Sequence, residues 1–256
     1  ITVRGDHTLS SSDALSLRYT RSTRYYRQNG GVFGTPRAEI PDGFGTGRQD
    51  SKVHNVSLRY TKTFTPSLLS ELLLGVHRAP KDSGTNADFT DWPAKLGLPN
   101  PLGALGWPSV GAGIFGWDSD NYKPEKLTAY ILQENMTWIK GAHTIKFGGQ
   151  FRKEQNNIME RQQAQGSHSF AGAWTAQYAP ASDNAVPFTG DGFAAMALGL
   201  PGSLSNNFNR GYFYFQQNEM GLYVQDSWKA TSRLTIDLGV RYERWTHYKE
   251  KQDRLV

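Results

Sequence analysis

The sequence predicts an all-β protein: an antiparallel up-and-down transmembrane β-barrel segment of about eight strands, with short turns at one end and long loops at the other. Apolar and polar residues alternate with a period of two in run after run, whereas helical periodicity is nearly absent. The runs come in pairs, joined within a pair by a short turn and between pairs by a long connection. A barrel wall needs this pattern, because its backbone must be paired internally while its two faces meet lipid and water.

The first half of the chain contains three clear alternating runs after an initial segment near 1–9. Their apolar positions are Leu15, Leu17 and Tyr19, then Val56, Leu58 and Tyr60, then Leu72, Leu74 and Val76. Short turns are predicted at 9–12 and at 65–67, where Pro66 interrupts the alternation. The runs match the ~9–11 residues with which a tilted strand crosses a membrane.

Four further runs lie in the second half. Their apolar positions are Tyr130, Leu132, Met136 and Trp138, then Ile145, Phe147, Gly149 and Phe151, then Leu222, Val224 and Trp228, then Leu234, Ile236, Leu238, Val240 and Tyr242. Short turns are predicted at 141–142 and 229–232. In the last and clearest run, we expect Leu234, Ile236, Leu238 and Val240 to face lipid, with Ile236 near the membrane midplane.

The chain is predicted to form one partial barrel domain over 1–256, with long loops at about 25–52, 80–126 and 153–210. The loops are rich in Gly, Pro, Asn and Asp, and a compact soluble domain rarely carries three such connections. A soluble antiparallel sandwich is the alternative, because it also alternates apolar and polar faces. A sandwich lacks the strict short and long rhythm, so the barrel is favoured and its long loops are expected on the extracellular side.

Two charged residues fall on the predicted lipid-facing side of otherwise apolar runs. Lys62 lies near the Pro66 turn and is expected to extend toward the membrane interface. Glu134 lies in mid-strand, so either a β-bulge turns it inward or the facing of this strand differs from the alternation.

Several patterns resemble chemical sites but lack the context that such sites need. Residues 111–116 match G-x-G-x-x-G, yet no strand precedes them and no helix follows, so we expect a flexible loop. Asp118 and Asp120 supply carboxylates for a Ca²⁺ site, but no Glu follows at EF-hand spacing. The histidines lack zinc-ligand spacing and cysteine is absent. We therefore predict no catalytic residue, no cofactor, no metal site and no enzymatic activity.

Residues 191–199 are the one stretch that predicts a short helix. Asp191 is placed to cap its first turn, and Gly199 followed by Pro201 is placed to end it. We expect four of its apolar residues to pack on neighbouring loop structure; these are Phe193, Ala194, Ala197 and Leu198.

The charge balance argues against a nucleic-acid partner. Lys and Arg number 28 and Asp and Glu 23, which gives a net charge of +5 at pH 7 without a basic block. Aromatic residues make up 12% of the chain, whereas disordered sequences contain few of them. The composition therefore indicates a folded chain.

Residues 220–245 resemble a strand–turn–strand signature of TonB-dependent outer-membrane receptors. The signature residues are Tyr223, Gln225, Asp226, Trp228, Leu234, Thr235, Gly239, Arg241 and Tyr242. Residues 13–21 and 192–202 are similar to the Oar-like branch of that family. The resemblance implies a location in the Gram-negative bacterial outer membrane and a barrel of about 22 strands around a plug domain.

The same resemblance implies the partners. They are the lipid bilayer of the outer membrane, a plug domain and further barrel strands that this chain lacks, the TonB energy-coupling complex, and a ligand that the sequence does not identify. The chain shows no signal peptide or plug and ends in a polar stretch. We therefore expect an incomplete barrel whose first and last strands are open edges.

Three functions fit these features. The first is a section of a TonB-dependent receptor that imports a bulky nutrient, with ligand-capturing loop residues Trp92, Trp107, Trp117, Asp118 and Asp120. The second is a self-contained eight-stranded outer-membrane adhesion or structural barrel. The third is a soluble carbohydrate-binding module, which would need the three tryptophans on one flat, rigid face. Transport is favoured, because the tryptophans lie among Pro and Gly in one long loop.

Overall fold

The computed structural model describes residues 1–27, 48–84, 89–117, 122–161, 163–180, 183–208 and 211–254. The strands are β1 (Thr2–Thr8), β2 (Asp13–Arg27), β3 (Arg48–Thr65), β4 (Leu68–Gly84), β5 (Ser109–Ala112), β6 (Phe115–Trp117), β7 (Lys123–Lys140), β8 (His143–Ile158), β9 (Ser167–Phe170), β10 (Ser203–Ser205), β11 (Phe213–Lys229), β12 (Thr235–Trp245) and β13 (Lys249–Glu250). The helices are α1 (Trp92–Lys95), a 3-10 turn (Gly172–Thr175) and α2 (Gly192–Ala197). In the described residues no helix has the length and apolar character needed to span a bilayer.

Eight long strands form one antiparallel sheet in the order β1-β2-β3-β4-β7-β8-β11-β12, with β13 added beside β11. Every neighbour in this order follows its partner along the chain when the strands of the long connections are set aside. The predicted up-and-down meander is therefore confirmed. Within the described residues β1 pairs with β2 and β12 with β11, and no ladder joins β1 to β12.

The long strands continue further than the alternation indicated. β2, β3, β4, β7, β8 and β11 are 15 to 18 residues long, so the three long connections shorten to 28–47, 85–122 and 159–212. Backbone pairing persists there, although the strict alternation ends and apolar residues such as Leu127, Phe213 and Phe215 lie among polar ones. The period of two therefore marks only the central part of each long strand.

Strand register brings the apolar positions of neighbouring strands onto one face. One row across six strands consists of Leu17, Leu58, Leu74, Leu132, Phe151 and Met220. On β11 this face extends from Met220 to Trp228, which is nine positions. At about 3.3 Å per residue and a tilt of about 35–45°, nine positions span about 21–24 Å, close to the apolar height of an outer-membrane barrel. We call this face the apolar band.

Lys62 and Glu134 both lie on the apolar band, each with a polar partner. Lys62 Nζ lies 2.7 Å from Asp13 Oδ1, beside the short turn at 9–12, and its expected extension toward the membrane interface stays a prediction. Glu134 lies directly opposite Leu72 in an unbroken ladder, so the suggested bulge is wrong. The Ser70 hydroxyl donates to Glu134 Oε1 at 2.5 Å, and this bond satisfies the carboxyl group without turning it inward.

The opposite face of the sheet is polar and carries ion pairs between and along strands. Arg152 on β8 donates to Glu219 on β11 at 2.9 Å and to Glu154 at 2.5 Å. Arg59 on β3 lies 3.7 Å from Glu71 on β4. These side chains are partly exposed, which suits a wall that faces water.

A glycine on this inner face makes room for an aromatic side chain. Gly148 on β8 lies opposite both Tyr223 on β11 and Asn135 on β7. The Tyr223 ring crosses Gly148, and its hydroxyl donates to Asn135 Oδ1 at 2.8 Å. Tyr223 therefore links three adjacent strands, and glycine at 148 is required beneath it.

We expect Gly148→Val to lower the stability of the barrel by about 1–3 kcal/mol, because a Cβ there meets Tyr223 Cε1 at 3.0 Å and overlaps the Glu134 carbonyl oxygen. Urea unfolding of the full-length protein in detergent measures the change. Gly5→Val is the matched control, since a Cβ at Gly5 has no atom within 4 Å. Equal unfolding midpoints for the two variants would contradict the packing role of Gly148.

Beyond β12 the chain turns back and forms a short polar segment that pairs with β11. β13 folds back so that Glu250 lies opposite Phe215 on β11. Burial opposes ionisation of Glu250, but backbone N–H groups of Arg254, Tyr214 and Gln252, at 2.7 to 3.0 Å, hold the pKa of its carboxyl group below the usual value. The hydrogen bond that the Tyr248 hydroxyl donates to the Glu154 carboxylate raises the pKa of Tyr248 to about 12.

Candidate ligand-capture region in the long connections

Two of the long connections fold together into one small body. β5 pairs in parallel with β9, so the connection before β7 is hydrogen-bonded to the connection before β11. β6 and β10 complete a second, four-stranded sheet in the order β10-β9-β5-β6. We call residues 89–117 and 163–208 the loop body.

The loop body has its own apolar core. Val110, Ala112, Phe170 and Ala195 are buried together, and Leu98, Trp117 and Met196 pack against them. The G-x-G-x-x-G stretch is the β5–β6 hairpin within this body, with Gly113 at φ +65° in the turn. The expected flexible loop is therefore wrong, since residues at 111–116 belong to a paired and partly buried strand unit.

The predicted short helix is confirmed as α2. The Asp191 carboxylate accepts from the backbone N–H of Ala194 at 2.9 Å, and Gly199 follows the helix at φ +69°. The predicted packing face is right for Phe193, whose ring centroid lies 5.0 Å from that of Phe115 on β6. It is wrong for Leu198, which is exposed, and the buried residues of α2 are Gly192 and Ala195. Small residues face the core because α2 contacts β5 and β9 at close range: an added Cβ at Gly192 overlaps the backbone.

The three predicted tryptophans lie together. The ring centroid of Trp107 is 4.5 Å from that of Trp92 and 5.9 Å from that of Trp117, at interplanar angles of 65° and 50°. Trp107 is only 7% exposed, whereas Trp92 and Trp117 are half-buried. The rings meet at steep angles, so they form a small aromatic core and not the flat platform that sugar stacking requires.

The other two predicted capture residues, Asp118 and Asp120, lie outside the described residues. Their role therefore remains a prediction. Within the described part of the chain, no group of three or more His, Asp or Glu side chains is arranged to hold a metal ion.

Three polar residues that the sequence did not single out support the loop body. Arg161 lies with its guanidinium 5.7 Å from the Phe89 ring centroid and 5.4 Å from that of Tyr122, and it donates to the Leu105 carbonyl. Gln165, 0% exposed, donates to the same carbonyl at 2.9 Å. His168 is 1% exposed, and its Nε2 lies 3.3 Å from the Pro99 carbonyl oxygen. Their partners are 56 to 69 residues away, so no local pattern reveals them.

A cavity of about 320 Å³ opens beside these residues. Its lining combines apolar side chains with one guanidinium; the lining includes Leu102, Leu105, Arg161, Ala164 and Phe208. Gln165 Oε1, His168 Nδ1 and the indole nitrogens of Trp92 and Trp107 are buried without a partner among the described residues. The cavity thus offers apolar side chains and one cation for contacts with a ligand, whereas the unpaired polar atoms are buried inside the loop body.

The signature residues of 220–245 are divided between the two faces of the wall. Tyr223, Gln225, Gly239 and Arg241 share the inner face, and Arg241 Nε donates to Glu243 at 2.5 Å. Asp226, Trp228 and Tyr242 share the outer face. His143 Nδ1 lies 2.6 Å from Asp226 Oδ2 and its ring stacks on Trp228, so these residues tie β8 to β11 near the short turns. The signature residues therefore contribute to hydrogen bonding and packing within the barrel wall.

The four residues expected to face lipid lie at the start of and along β12. Leu234 lies in the turn before the strand, and Leu238 and Val240 are exposed. Ile236 lies opposite Trp228 at the short-turn edge of the apolar band, so its expected position near the midplane is wrong. Val240, opposite Val224, is closer to the middle of the band, and contact of this row with lipid remains a prediction.

Comparison with known proteins places this architecture. The model of the outer membrane beta barrel domain family matches residues 1–256. Comparison with curated protein sequences gives no significant match. The open form of the ferric-catecholate import receptor Fiu from E. coli K12 has a TM-score of 0.50 and 14% identity, over 95% of this chain and 36% of that chain. The outer membrane transporter YddB from Escherichia coli has a TM-score of 0.45 and 10% identity, over 97% and 27%.

This chain thus spans about a third of the Fiu chain, and at such low identity the likeness shows the fold alone. The family match confirms the predicted all-β outer-membrane barrel and its location in the Gram-negative outer membrane. The Oar-like branch stays a prediction. On the family match over its whole length, the chain belongs to the outer membrane beta barrel domain family.

Proposed function

We propose that the chain is a section of the wall and outer loops of a TonB-dependent receptor that imports a bulky nutrient across the outer membrane. The loop body is the observation that carries this proposal. Two long connections that could remain separate are joined by a parallel strand pair and share a buried core. A rigid body of this kind holds recognition side chains in place, which lowers the entropic cost of binding.

The proposed capture surface combines two parts of this region, the tryptophan cluster and the cavity lined by Leu105 and Arg161. Trp92 and Trp117 are half-exposed and offer ring edges, while Trp107 supports them from within. Arg161 adds a positive charge at the cavity wall. Asp118, which directly follows Trp117, and Asp120 belong to the same proposal. In this proposal the complete receptor also contains a plug domain and works with the TonB complex.

The structure offers less support for the two other functions. A self-contained adhesion barrel of eight strands needs a ladder between β1 and β12, and the described residues form none. A soluble carbohydrate-binding module needs a flat tryptophan face, but the three rings are steeply inclined and Trp107 is buried.

The test is uptake by cells that carry the full-length protein. Labelled nutrients of different classes, including metal chelates, oligosaccharides and peptides, are supplied to wild-type cells and to cells treated with a protonophore. We expect one class to accumulate only in energised cells, and Arg161→Ala together with Trp117→Ala to reduce its uptake at least tenfold. Surface-exposed Trp174→Ala is the matched control with unchanged uptake. Absence of energy-dependent uptake, with cell adhesion in its place, would reject the proposal.

A further inference from the structure

The cavity beside Arg161 is formed where the two joined connections meet. One side is the turn at 102–105, which belongs to the connection before β7. The other side belongs to the connection that follows β8; it consists of Arg161, Ala164 and Phe208. The parallel pair of β5 and β9 fixes the two sides relative to each other, and the Ser109 N–H donates to the Gly166 carbonyl at 2.9 Å just behind them. The cavity is therefore a product of the assembled connections and not of one segment alone.

The turn on the first side is fixed by its own hydrogen bonds. The Asn100 side chain accepts from the backbone N–H of Ala104 at 3.1 Å and donates to the Ala104 carbonyl at 3.0 Å. The N–H of Gly103 donates to the Asn100 carbonyl at 3.1 Å, and Gly103 has φ +60°, which glycine adopts without strain. A wall that is already fixed before binding lowers the entropic cost of holding a ligand.

The Arg161 guanidinium is oriented by two aromatic rings and one carbonyl. It lies 5.7 Å from the Phe89 ring centroid and 5.4 Å from that of Tyr122, and it donates to the Leu105 carbonyl. A guanidinium carries five N–H donors in a planar fork, and one carbonyl oxygen occupies only part of that fork. Since Arg161 lies in the cavity lining, its other donors are available to a ligand there.

The described residues supply no carboxylate that pairs with Arg161. Glu160, its neighbour in sequence, instead lies 3.4 Å from Lys123. The Asp91 carboxylate caps α1 and accepts from the Ala94 N–H at 3.1 Å. The half-buried cation in the cavity wall therefore lacks a counter-charge from the described part of the chain, and an anionic group of a ligand supplies one.

The size and lining of the cavity narrow the ligand further. The volume of about 320 Å³ is at the lower end of the range for ligand pockets, about 300–1,000 Å³, so the cavity holds one group of a bulky nutrient and not all of it. One guanidinium matches a carboxylate through two parallel hydrogen bonds. A phosphate monoester carries nearly two charges and calls for further cations. The side chains around the guanidinium are apolar, so the group next to the carboxylate is apolar as well.

We propose that this cavity binds a carboxylate group together with the apolar substituent beside it, and that the loop body recognises this part of the imported nutrient. The inference rests on the proposed function and adds the chemical class of the ligand to it. The carboxylate lies against Arg161, and the apolar substituent lies against Leu102, Leu105 and Phe208. Two sources present this chemistry, the C-terminal residue of a peptide and a free apolar carboxylic acid. A neutral amide in the same position forms no ion pair with Arg161.

The test measures binding by isothermal titration calorimetry with the full-length protein, purified in a neutral detergent. The probes are N-acetyl-Gly-Gly-Leu with a free carboxylate, its C-terminal amide, and N-acetylleucine. We expect the free carboxylate to bind about 10- to 100-fold more tightly than the amide, which loses a charge-assisted hydrogen bond. Binding of N-acetylleucine as tight as that of the tripeptide identifies a free acid as the source, and binding at least tenfold weaker identifies a peptide C-terminus.

Three variants of the full-length protein locate the binding. Arg161→Gln should remove the difference between the carboxylate and the amide. Leu102→Glu places a negative charge at the cavity on a side chain that is 45% exposed, so it should weaken binding of the carboxylate at least tenfold without disturbing the fold. Ile114→Glu is the matched control, since this side chain is 91% exposed and outside the lining, and its binding should stay within twofold of the wild type. If Arg161→Gln does not fold, Leu102→Glu and its control carry the test.

Equal affinity of the wild-type protein for the carboxylate and the amide, or no binding of either acid, would overturn the proposal. Equal losses in Leu102→Glu and Ile114→Glu would show a general charge effect and overturn it as well. Failure of the proposed function is seen separately, in cells. Absence of energy-dependent uptake, with a purified protein that still distinguishes the two tripeptide probes, would reject import and support the chemistry of the cavity. Energised uptake confined to nutrients without a carboxylate would overturn the inference and leave import standing.

Discussion

Trp107→Ala is expected to destabilise the loop body by about 3–5 kcal/mol, because it removes a large buried ring and leaves a cavity between two other rings. Trp107 is 7% exposed and contacts both Trp92 and Trp117. Hydrogen exchange of the full-length protein, followed by mass spectrometry, measures the effect. Exchange of peptides at 105–117 and 164–172 should accelerate by about 100-fold or more, while exchange in the apolar band should not change.

Trp174→Ala is the matched control, since this side chain is 63% exposed and its indole only donates to the Pro201 carbonyl. Its effect should stay below about 1 kcal/mol. Trp107→Phe should fall between the two variants, because it keeps most of the packing and removes an indole N–H that has no partner. Unchanged exchange in Trp107→Ala would show that the tryptophan cluster does not hold the loop body together.

Val224→Arg is expected to destabilise the folded protein in bilayers by about 2–4 kcal/mol, since it places a charge near the middle of the apolar band. Val224 faces outward, is exposed and lies opposite Val240 on β12. Val240→Arg should have a similar effect for the same reason. Urea titration of the full-length protein in phosphatidylcholine bilayers measures both free energies.

The control is Gln225→Arg, one residue along the same strand on the opposite face. Gln225 lies in the row of Lys146 and Gly239 on the polar inner wall, where an added charge remains hydrated. Its expected cost is less than about 1 kcal/mol. If the two variants cost the same, the band does not face lipid and the assignment of the two faces is wrong.

The barrel wall could be predicted from the period-two alternation of apolar and polar residues, because the two faces of such a wall meet different solvents. Leu58 lies between polar neighbours in its own strand, and the structure places it in one row with Leu74 and Leu132. The four short turns lie where the sequence indicated, at 9–12, 66–67, 141–142 and 230–234. The alternation ends beyond the band, where the extended strands continue with mixed polar and apolar residues.

The loop body could not be predicted, because its contacts join residues far apart in the chain. The parallel pairing of Val110 with His168 and the carbonyl shared by Arg161 and Gln165 leave no periodic trace. Glu134 shows the same limit on the wall. Its partner Ser70 is 64 residues away, and only strand pairing reveals why a carboxyl group is tolerated on the apolar face.

The sequence by itself determined the fold class, the strand pairs and the two faces in the central part of most long strands, since a wall between two solvents imposes a period of two. Only the tertiary structure decided the true strand lengths, the burial of Trp107 and the alignment of Leu17, Leu58 and Leu74 in one row. The reason is that alternation is a property of each strand alone, whereas register and loop packing depend on which distant residues become neighbours.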